Sequence, residues 1–82
     1  MISNILKALK ALVKYIPWYK IASFLKWIAK FIAVVAKYIA KYGKIILNFI
    51  KKNPAKIVNW FLNGYSALDV IRQILKAFGI DI

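Results

Sequence analysis

Lysines recur through the first two-thirds of this sequence, often three or four residues apart. Twelve of them lie within residues 1–56, no acidic residue precedes Asp69, and the 82-residue chain has a net charge of +12. Ordinary protein surfaces mix both charge signs, so this imbalance predicts a negatively charged partner. Each basic side chain near an anionic lipid surface contributes roughly 1 kcal/mol of binding free energy. The predicted membrane-binding lysines are Lys7, Lys10, Lys14, Lys20, Lys26, Lys30, Lys37, Lys41, Lys44, Lys51, Lys52 and Lys56.

The three tryptophans are a second group that suits a lipid interface. Their side chains are large and amphipathic, and such rings favour the headgroup level of a bilayer. We therefore predict Trp18, Trp27 and Trp60 as membrane-binding residues, with core packing as the alternative for Trp18 and Trp27. The tyrosines that would assist them are Tyr15, Tyr19, Tyr38, Tyr42 and Tyr65. The phenylalanines predicted to fill the core instead are Phe24, Phe49, Phe61 and Phe78.

Side chains that carry catalysis or bind metals are scarce. The sequence has no histidine and no cysteine, and its two carboxylates, Asp69 and Asp81, are twelve positions apart. Histidine is the most frequent general acid or base and the commonest metal ligand. Asp69 follows Ser66 at the spacing of a capping box, which predicts a structural role for it. We therefore predict that the protein is not an enzyme and has no cofactor, metal site or small-molecule substrate.

All the elements that position these residues are predicted to be amphipathic helices. In the first helix, apolar residues and lysines at helical spacing form opposite faces, and Ser3 or Asn4 is the expected N-terminal cap. Pro17 suits the first turn of the second helix and disfavours helical geometry at Ile16. The predicted helices span residues 3–15, 17–42, 44–52, 54–63 and 66–79.

The segment 17–42 contains a short repeat and is compatible with either one helix or two. The hexapeptide KWIAKF at 26–31 recurs eleven residues later as KYIAKY at 37–42. Eleven residues are about three helical turns, so like side chains return to the same face. A break is expected at Val34 and Val35, and Gly43 is the expected C-terminal stop. At about 100° per residue, four lysines fall within a stripe roughly 60° wide: Lys26, Lys30, Lys37 and Lys41.

Three shorter helices are expected to complete the chain. Pro54 suits the start of one helix, Gly64 its end, and Ser66 the cap of the last. The predicted buried face of the last helix consists of Leu68, Ile71, Leu75 and Phe78. The short connections predict an all-α protein, a compact bundle of four or five amphipathic helices. We expect it to form a single domain over residues 1–82 and to be monomeric in solution.

None of these segments has the pattern of a membrane-spanning helix or of a secretory signal. A spanning helix needs about 20 predominantly apolar residues. The longest charge-free stretch, 57–68, is shorter, and five lysines interrupt residues 17–42. Lys7, Lys10 and Lys14 break the apolar run that a signal peptide requires. If the protein acts outside the cell, we expect it to be secreted without a cleavable signal peptide, through a dedicated exporter.

Three stretches of the chain share features with a known family. They are KYIAKYGK at 37–44, KIVNWFLNG at 56–64 and VIRQILKAFG at 70–79. In this order they resemble the start, the tryptophan-bearing helix and the final basic amphipathic helix of the aureocin, lacticin and epidermicin group of leaderless bacteriocins. The resemblance covers roughly residues 31–80, so the first thirty residues are additional to the family's pattern.

This resemblance implies a compact saposin-like helical bundle that permeabilises Gram-positive membranes without an obvious protein receptor. The expected function is that of a cationic antibacterial peptide whose partner is the anionic phospholipid bilayer of target bacteria. A small basic nucleic-acid-binding protein is one alternative, but phosphate and base recognition favours arginine and the chain has only Arg72. A membrane-resident immunity or accessory protein is the other alternative, and the lack of a clean spanning segment counts against it.

Overall fold

Five α-helices and two short 3-10 segments make up the protein. The structure, a computed structural model, describes all 82 residues and contains no strand, which confirms the all-α prediction. Helix α1 is followed by 3-10 segments at Ala11–Tyr15 and Trp18–Lys20. The α-helices are α1 (Ile2–Lys10), α2 (Ile21–Val35), α3 (Ile39–Lys52), α4 (Pro54–Leu62) and α5 (Ala67–Lys76).

The caps at the starts of α1 and α5 differ in how well the sequence predicts them. Ser66 Oγ accepts a hydrogen bond from the Asp69 N–H at 3.1 Å, which confirms the cap of α5. The expected cap of α1 at Ser3 or Asn4 is wrong, because α1 already begins at Ile2. The side chain of Ile2 packs against the core, and this burial favours an earlier helix start than the polar residues alone indicate.

A sharp corner separates the first two helices. Ile16 is extended, with φ −97° and ψ 132°, as expected for a residue that precedes proline. Pro17, with φ −55° and ψ 140°, precedes the helical segment rather than occupying its first turn as predicted. The Ile16 side chain is buried. It therefore anchors the corner to the core.

The segment 17–42 forms two helices, and the break lies where the valines predict it. Helix α2 ends at Val35, and a turn over residues 36–38 leads into α3. The expected stop at Gly43 is wrong, since α3 continues through it to Lys52. A Cβ at Gly43 would lie 2.9 Å from Ile39 Cδ1 and 3.0 Å from Met1 Cγ. Glycine therefore leaves room for the side chains of Ile39 and Met1 at this point of α3. The buried residues that follow Gly43 in the helix favour its continuation to Lys52.

The predicted start of α4 at Pro54 and its end before Gly64 are confirmed. Two other predicted helix ends are wrong: α1 gives way to a 3-10 segment after Lys10 instead of continuing to residue 15, and α5 ends at Lys76 instead of residue 79. Pro54 opens α4, where its lack of an N–H costs no hydrogen bond. Gly64 follows the end of α4 with φ +87°, a conformation that suits glycine. The Tyr65 N–H donates to the Trp60 C=O at 3.0 Å and the Gly64 N–H to the Phe61 C=O at 3.1 Å. These two bonds close the helix in a Schellman motif.

One apolar core lies between the helices. Its 20 buried residues form a single cluster, and no polar or charged side chain is buried. Helix α1 packs against α2 and α3, and α5 packs against α2, α3 and α4. The radius of gyration is 11.6 Å, close to the value of about 12 Å expected for a compact domain of this length. All five helices therefore share one core, as the periodicity predicts.

Candidate membrane-binding surface

The predicted membrane-binding lysines lie on the surface of the bundle. All twelve are exposed except Lys20, which is half-buried. They are distributed over α1, α2, α3, α4 and the turns between them. The charge is therefore available to a partner without any change in the fold.

The turn at residues 36–38 divides the predicted four-lysine stripe. Lys26 and Lys30 belong to α2, Lys37 lies in the turn, and Lys41 belongs to α3. On α1, Lys7 and Lys10 are exposed, and the buried residues of that helix are Ile5 and Leu9. The lysines are thus carried by several helices and turns rather than aligned along one helix.

Residues 15–19, here called the aromatic corner, expose three large rings. Trp18 is 83% exposed, Tyr19 66% and Tyr15 56%. The rings of Trp18 and Tyr19 meet edge to face with centroids 5.8 Å apart. The corner has this form because Ile16 turns inward as an anchor and the chain is extended through Pro17. The rings beside it are left without core contacts.

Lysines border the aromatic corner on both sides in the chain. Lys14 Nζ lies 5.3 Å from the centroid of the Tyr15 ring, within the range of a cation–π contact. Lys20 follows Tyr19 directly. Large amphipathic rings next to ammonium groups match the two layers of an anionic interface, in which charged headgroups overlie apolar chains.

The other two tryptophans are less accessible than Trp18. Trp27 is buried in the core and its indole N–H donates to the Tyr65 C=O at 2.9 Å. Of the two interpretations left open for Trp27, the structure therefore supports core packing, and the folded protein does not offer this residue to an interface. Trp60 is half-buried and stacks between Phe49 and Tyr65, with centroids 5.9 and 6.1 Å away.

The phenylalanine predictions are correct except at one position. Phe24 and Phe49 are buried, and Phe61 is half-buried against the core. Phe78 is exposed, so its predicted place in the core is wrong. Helix α5 ends at Lys76, and the turn that follows it carries Phe78 away from the core. The buried face of α5 is instead formed by Ala67, Val70, Ile71, Ile74 and Leu75.

Two exposed leucines were not anticipated from the sequence. Leu25 on α2 and Leu62 on α4 are exposed. Each directly follows a phenylalanine, and the two rings, Phe24 and Phe61, meet at 4.9 Å. In the sequence, Leu25 directly precedes Lys26, which lies on the polar side of α2. This adjacent lysine was the feature that could have indicated the exposure of Leu25.

The surface carries no feature of a metal centre or of a spanning segment. No group of three histidine, cysteine, aspartate or glutamate side chains comes together that could hold a metal ion. None of the helices has both the length and the apolar character required to cross a bilayer.

Comparison with known proteins identifies no relative. No family model, no curated protein and no solved structure matches the chain. The bacteriocin resemblance and the saposin-like arrangement that it implies therefore stay predictions. What the protein does has to be inferred from its own surface.

Proposed function

We propose that this protein is a cationic antibacterial protein of the leaderless bacteriocin type, which binds anionic bacterial membranes and permeabilises them. The observation that carries this proposal is the aromatic corner. Trp18 is 83% exposed in a corner that Lys14 and Lys20 border in the sequence, on a chain with a net charge of +12. A protein in water gains nothing from exposing such rings, whereas an interface rewards both the rings and the charge.

The first step of the proposed mechanism is electrostatic. The exposed lysines attract the protein to anionic lipid from a distance, and salt weakens this attraction because the Debye length is only about 8 Å at physiological ionic strength. No single lysine dominates, since the charges are spread over four helices. Losing one lysine therefore costs little binding, and losing several costs much.

The second step is insertion of the aromatic corner. Trp18 and Tyr19 enter the headgroup layer without unfolding the bundle, because their rings already point out of the core. The neighbouring lysines extend toward the phosphates and keep their charge in water. Insertion of the corner expands the outer leaflet locally, which perturbs the packing of the lipids around it.

The third step is opening of the bundle. Apart from the indole N–H of Trp27, which donates to the Tyr65 C=O, the side chains of the core are purely apolar. Acyl chains can therefore replace almost every core contact, and only this one hydrogen bond has to find another partner. Five short helices are held by apolar packing and by no disulfide, since the chain has no cysteine. Exchange of core contacts for lipid contacts then produces defects or pores that collapse the ion gradients.

The test is whether the protein kills bacteria by way of their membranes. An indicator Gram-positive strain is treated with the purified protein while a potential-sensitive dye reports the membrane potential. We expect depolarisation to precede loss of viability at micromolar protein. Binding to a DNA duplex is measured in parallel. Tight DNA binding together with no depolarisation and no killing would reject the proposal in favour of a nucleic-acid partner.

A further inference from the structure

A cleft opens between α1 and the junction of α3 with α4. Its volume is about 470 Å³, within the range of roughly 300–1,000 Å³ that holds small ligands. Leu12 and Ile50 are buried and form its floor, whereas Lys7, Lys14 and Lys51 are exposed and form its rim. The cleft is therefore apolar at the bottom and cationic at the mouth.

The charge around the cleft is entirely positive. No carboxylate lies among its lining residues. The two in the chain, Asp69 and Asp81, belong to α5 and to the C-terminal segment. Three lysines line the cleft with no carboxylate to balance them, and a bound anion offsets their charge. A phosphate group suits the position, since its oxygens accept several charge-assisted hydrogen bonds at once.

The apolar floor indicates that the phosphate belongs to a lipid. A free phosphate ion makes no favourable contact with Leu12 and Ile50, whereas the glycerol and upper acyl carbons of a phospholipid can pack against them. Tyr15 lines the cleft and is also part of the aromatic corner, so the two features are continuous. A protein seated on a bilayer by that corner brings the mouth of the cleft to the headgroups.

We propose that this cleft binds one anionic phospholipid, with its phosphate between Lys7, Lys14 and Lys51 and its glycerol region over the apolar floor. The assignment rests on the proposed function, since it presumes that the aromatic corner meets a membrane. It also gives the N-terminal segment a role. Most of the lining residues belong to α1 and the 3-10 segment after it, outside the stretch that resembles the bacteriocins.

Two variants with equal net charge distinguish lipid binding at a defined site from diffuse electrostatic attraction to the whole protein surface. The cleft variant carries Lys7→Gln, Lys14→Gln and Lys51→Gln. The control variant carries three substitutions at exposed lysines that do not line the cleft: Lys26→Gln, Lys30→Gln and Lys37→Gln. Each variant has three charges fewer than the native +12, hence +9. Glutamine keeps the helix propensity of lysine, and circular dichroism with urea unfolding checks the fold of both.

The probe is dihexanoyl-phosphatidylglycerol below its micelle concentration, titrated against the native protein and followed by amide NMR shifts. We expect saturable shifts around Leu12, Tyr15 and Ile50. The cleft variant should bind this lipid at least about tenfold more weakly, as expected when charge-assisted bonds are lost. The control variant should change by less than about twofold. If a triple variant unfolds, the same comparison is made between Lys51→Gln and Lys37→Gln.

Two results would overturn the assignment. Equal loss of affinity in the cleft and control variants would show that the attraction is diffuse. Inorganic phosphate binding as tightly as the lipid, with the same shifts, would show an anion site without lipid recognition. Dye leakage from phosphatidylglycerol vesicles, measured with the native protein, tests the proposed membrane function independently of the cleft. Leakage without cleft binding removes only the cleft, whereas absence of leakage removes the membrane function itself.

Discussion

Replacing Trp18 by alanine removes the most exposed large apolar side chain of the protein. Its ring is 83% exposed and meets Tyr19 edge-on at 5.8 Å. It contributes nothing to the buried core. We therefore expect Trp18→Ala to weaken binding to anionic vesicles while the free energy of unfolding stays within about 0.5 kcal/mol of the native value.

The size of the effect follows from the exposed area. A tryptophan side chain buries roughly 150–250 Å² when fully enclosed, and 83% of the residue is available here. At about 25 cal/mol per Å², complete transfer of that area is worth roughly 3–5 kcal/mol. A ring at headgroup depth is about half transferred, which leaves roughly 1.5–2.5 kcal/mol. This corresponds to a partition coefficient about 10- to 70-fold lower in the variant.

The assay is equilibrium partitioning onto phosphatidylglycerol vesicles, measured by co-sedimentation at fixed salt. Phe78→Ala is the matched control, because Phe78 is also exposed but lies in the C-terminal third. Over residues 57–82 the charges of Arg72 and Lys76 cancel those of the two aspartates. This part of the chain has no net charge to draw it to anionic lipid, and Phe78→Ala should change partitioning by less than about threefold.

Two outcomes would refute the reasoning about the corner. A change of less than twofold for Trp18→Ala would mean that the corner stays out of the interface. An equal loss of partitioning for Phe78→Ala would mean that any exposed aromatic ring contributes to membrane binding and that the aromatic corner is not the preferred contact. Urea unfolding of both variants excludes loss of fold as the cause.

Three further results are expected. Raising NaCl from 50 to 500 mM should release the protein from phosphatidylglycerol vesicles, because screening weakens the lysine contacts; unchanged binding would rule out electrostatic attraction. Ser66→Ala should lower the free energy of unfolding in urea by about 1 kcal/mol through loss of its cap, whereas Ser23→Ala, at an exposed position inside α2, should not lower it. With Trp18→Phe and Trp60→Phe, the remaining Trp27 should be shielded from acrylamide in water and quenched by brominated lipid on vesicles. Absence of lipid quenching would contradict opening of the bundle.

Much of the fold was predictable because apolar residues at helical spacing determine which face of each helix is buried. Ile16 and Pro17 marked the first corner, and Val35 marked the end of α2. Sequence signals for helix starts and ends were less reliable where tertiary packing opposed them. Glycine at position 43 is typical of a helix stop, but within α3 the side chains of Ile39 and of the distant Met1 pack where its Cβ would lie. Such contacts join residues far apart in the chain, and periodicity does not reveal them.

The candidate surface was only partly predictable, for the same reason. Exposure of the lysines follows from the cost of burying charge, so their positions hold for almost any helical packing. The tryptophans are ambiguous in sequence, since an amphipathic ring suits both a core and an interface. Tertiary packing separates them: Trp27 is enclosed by Phe24, Phe31 and Phe61, whereas Trp18 projects from a corner. The cationic cleft between α1 and α3 also depends on how the helices are placed.

The most direct test of the central claim is release of an entrapped dye from vesicles of two compositions. The native protein is added at micromolar concentration to phosphatidylglycerol vesicles and, separately, to phosphatidylcholine vesicles in the same buffer. We predict rapid leakage from the anionic vesicles and little from the zwitterionic ones, because the lysines require negative charge and the corner requires a bilayer. Intact anionic vesicles at that concentration would contradict the claim that this surface serves to permeabilise membranes.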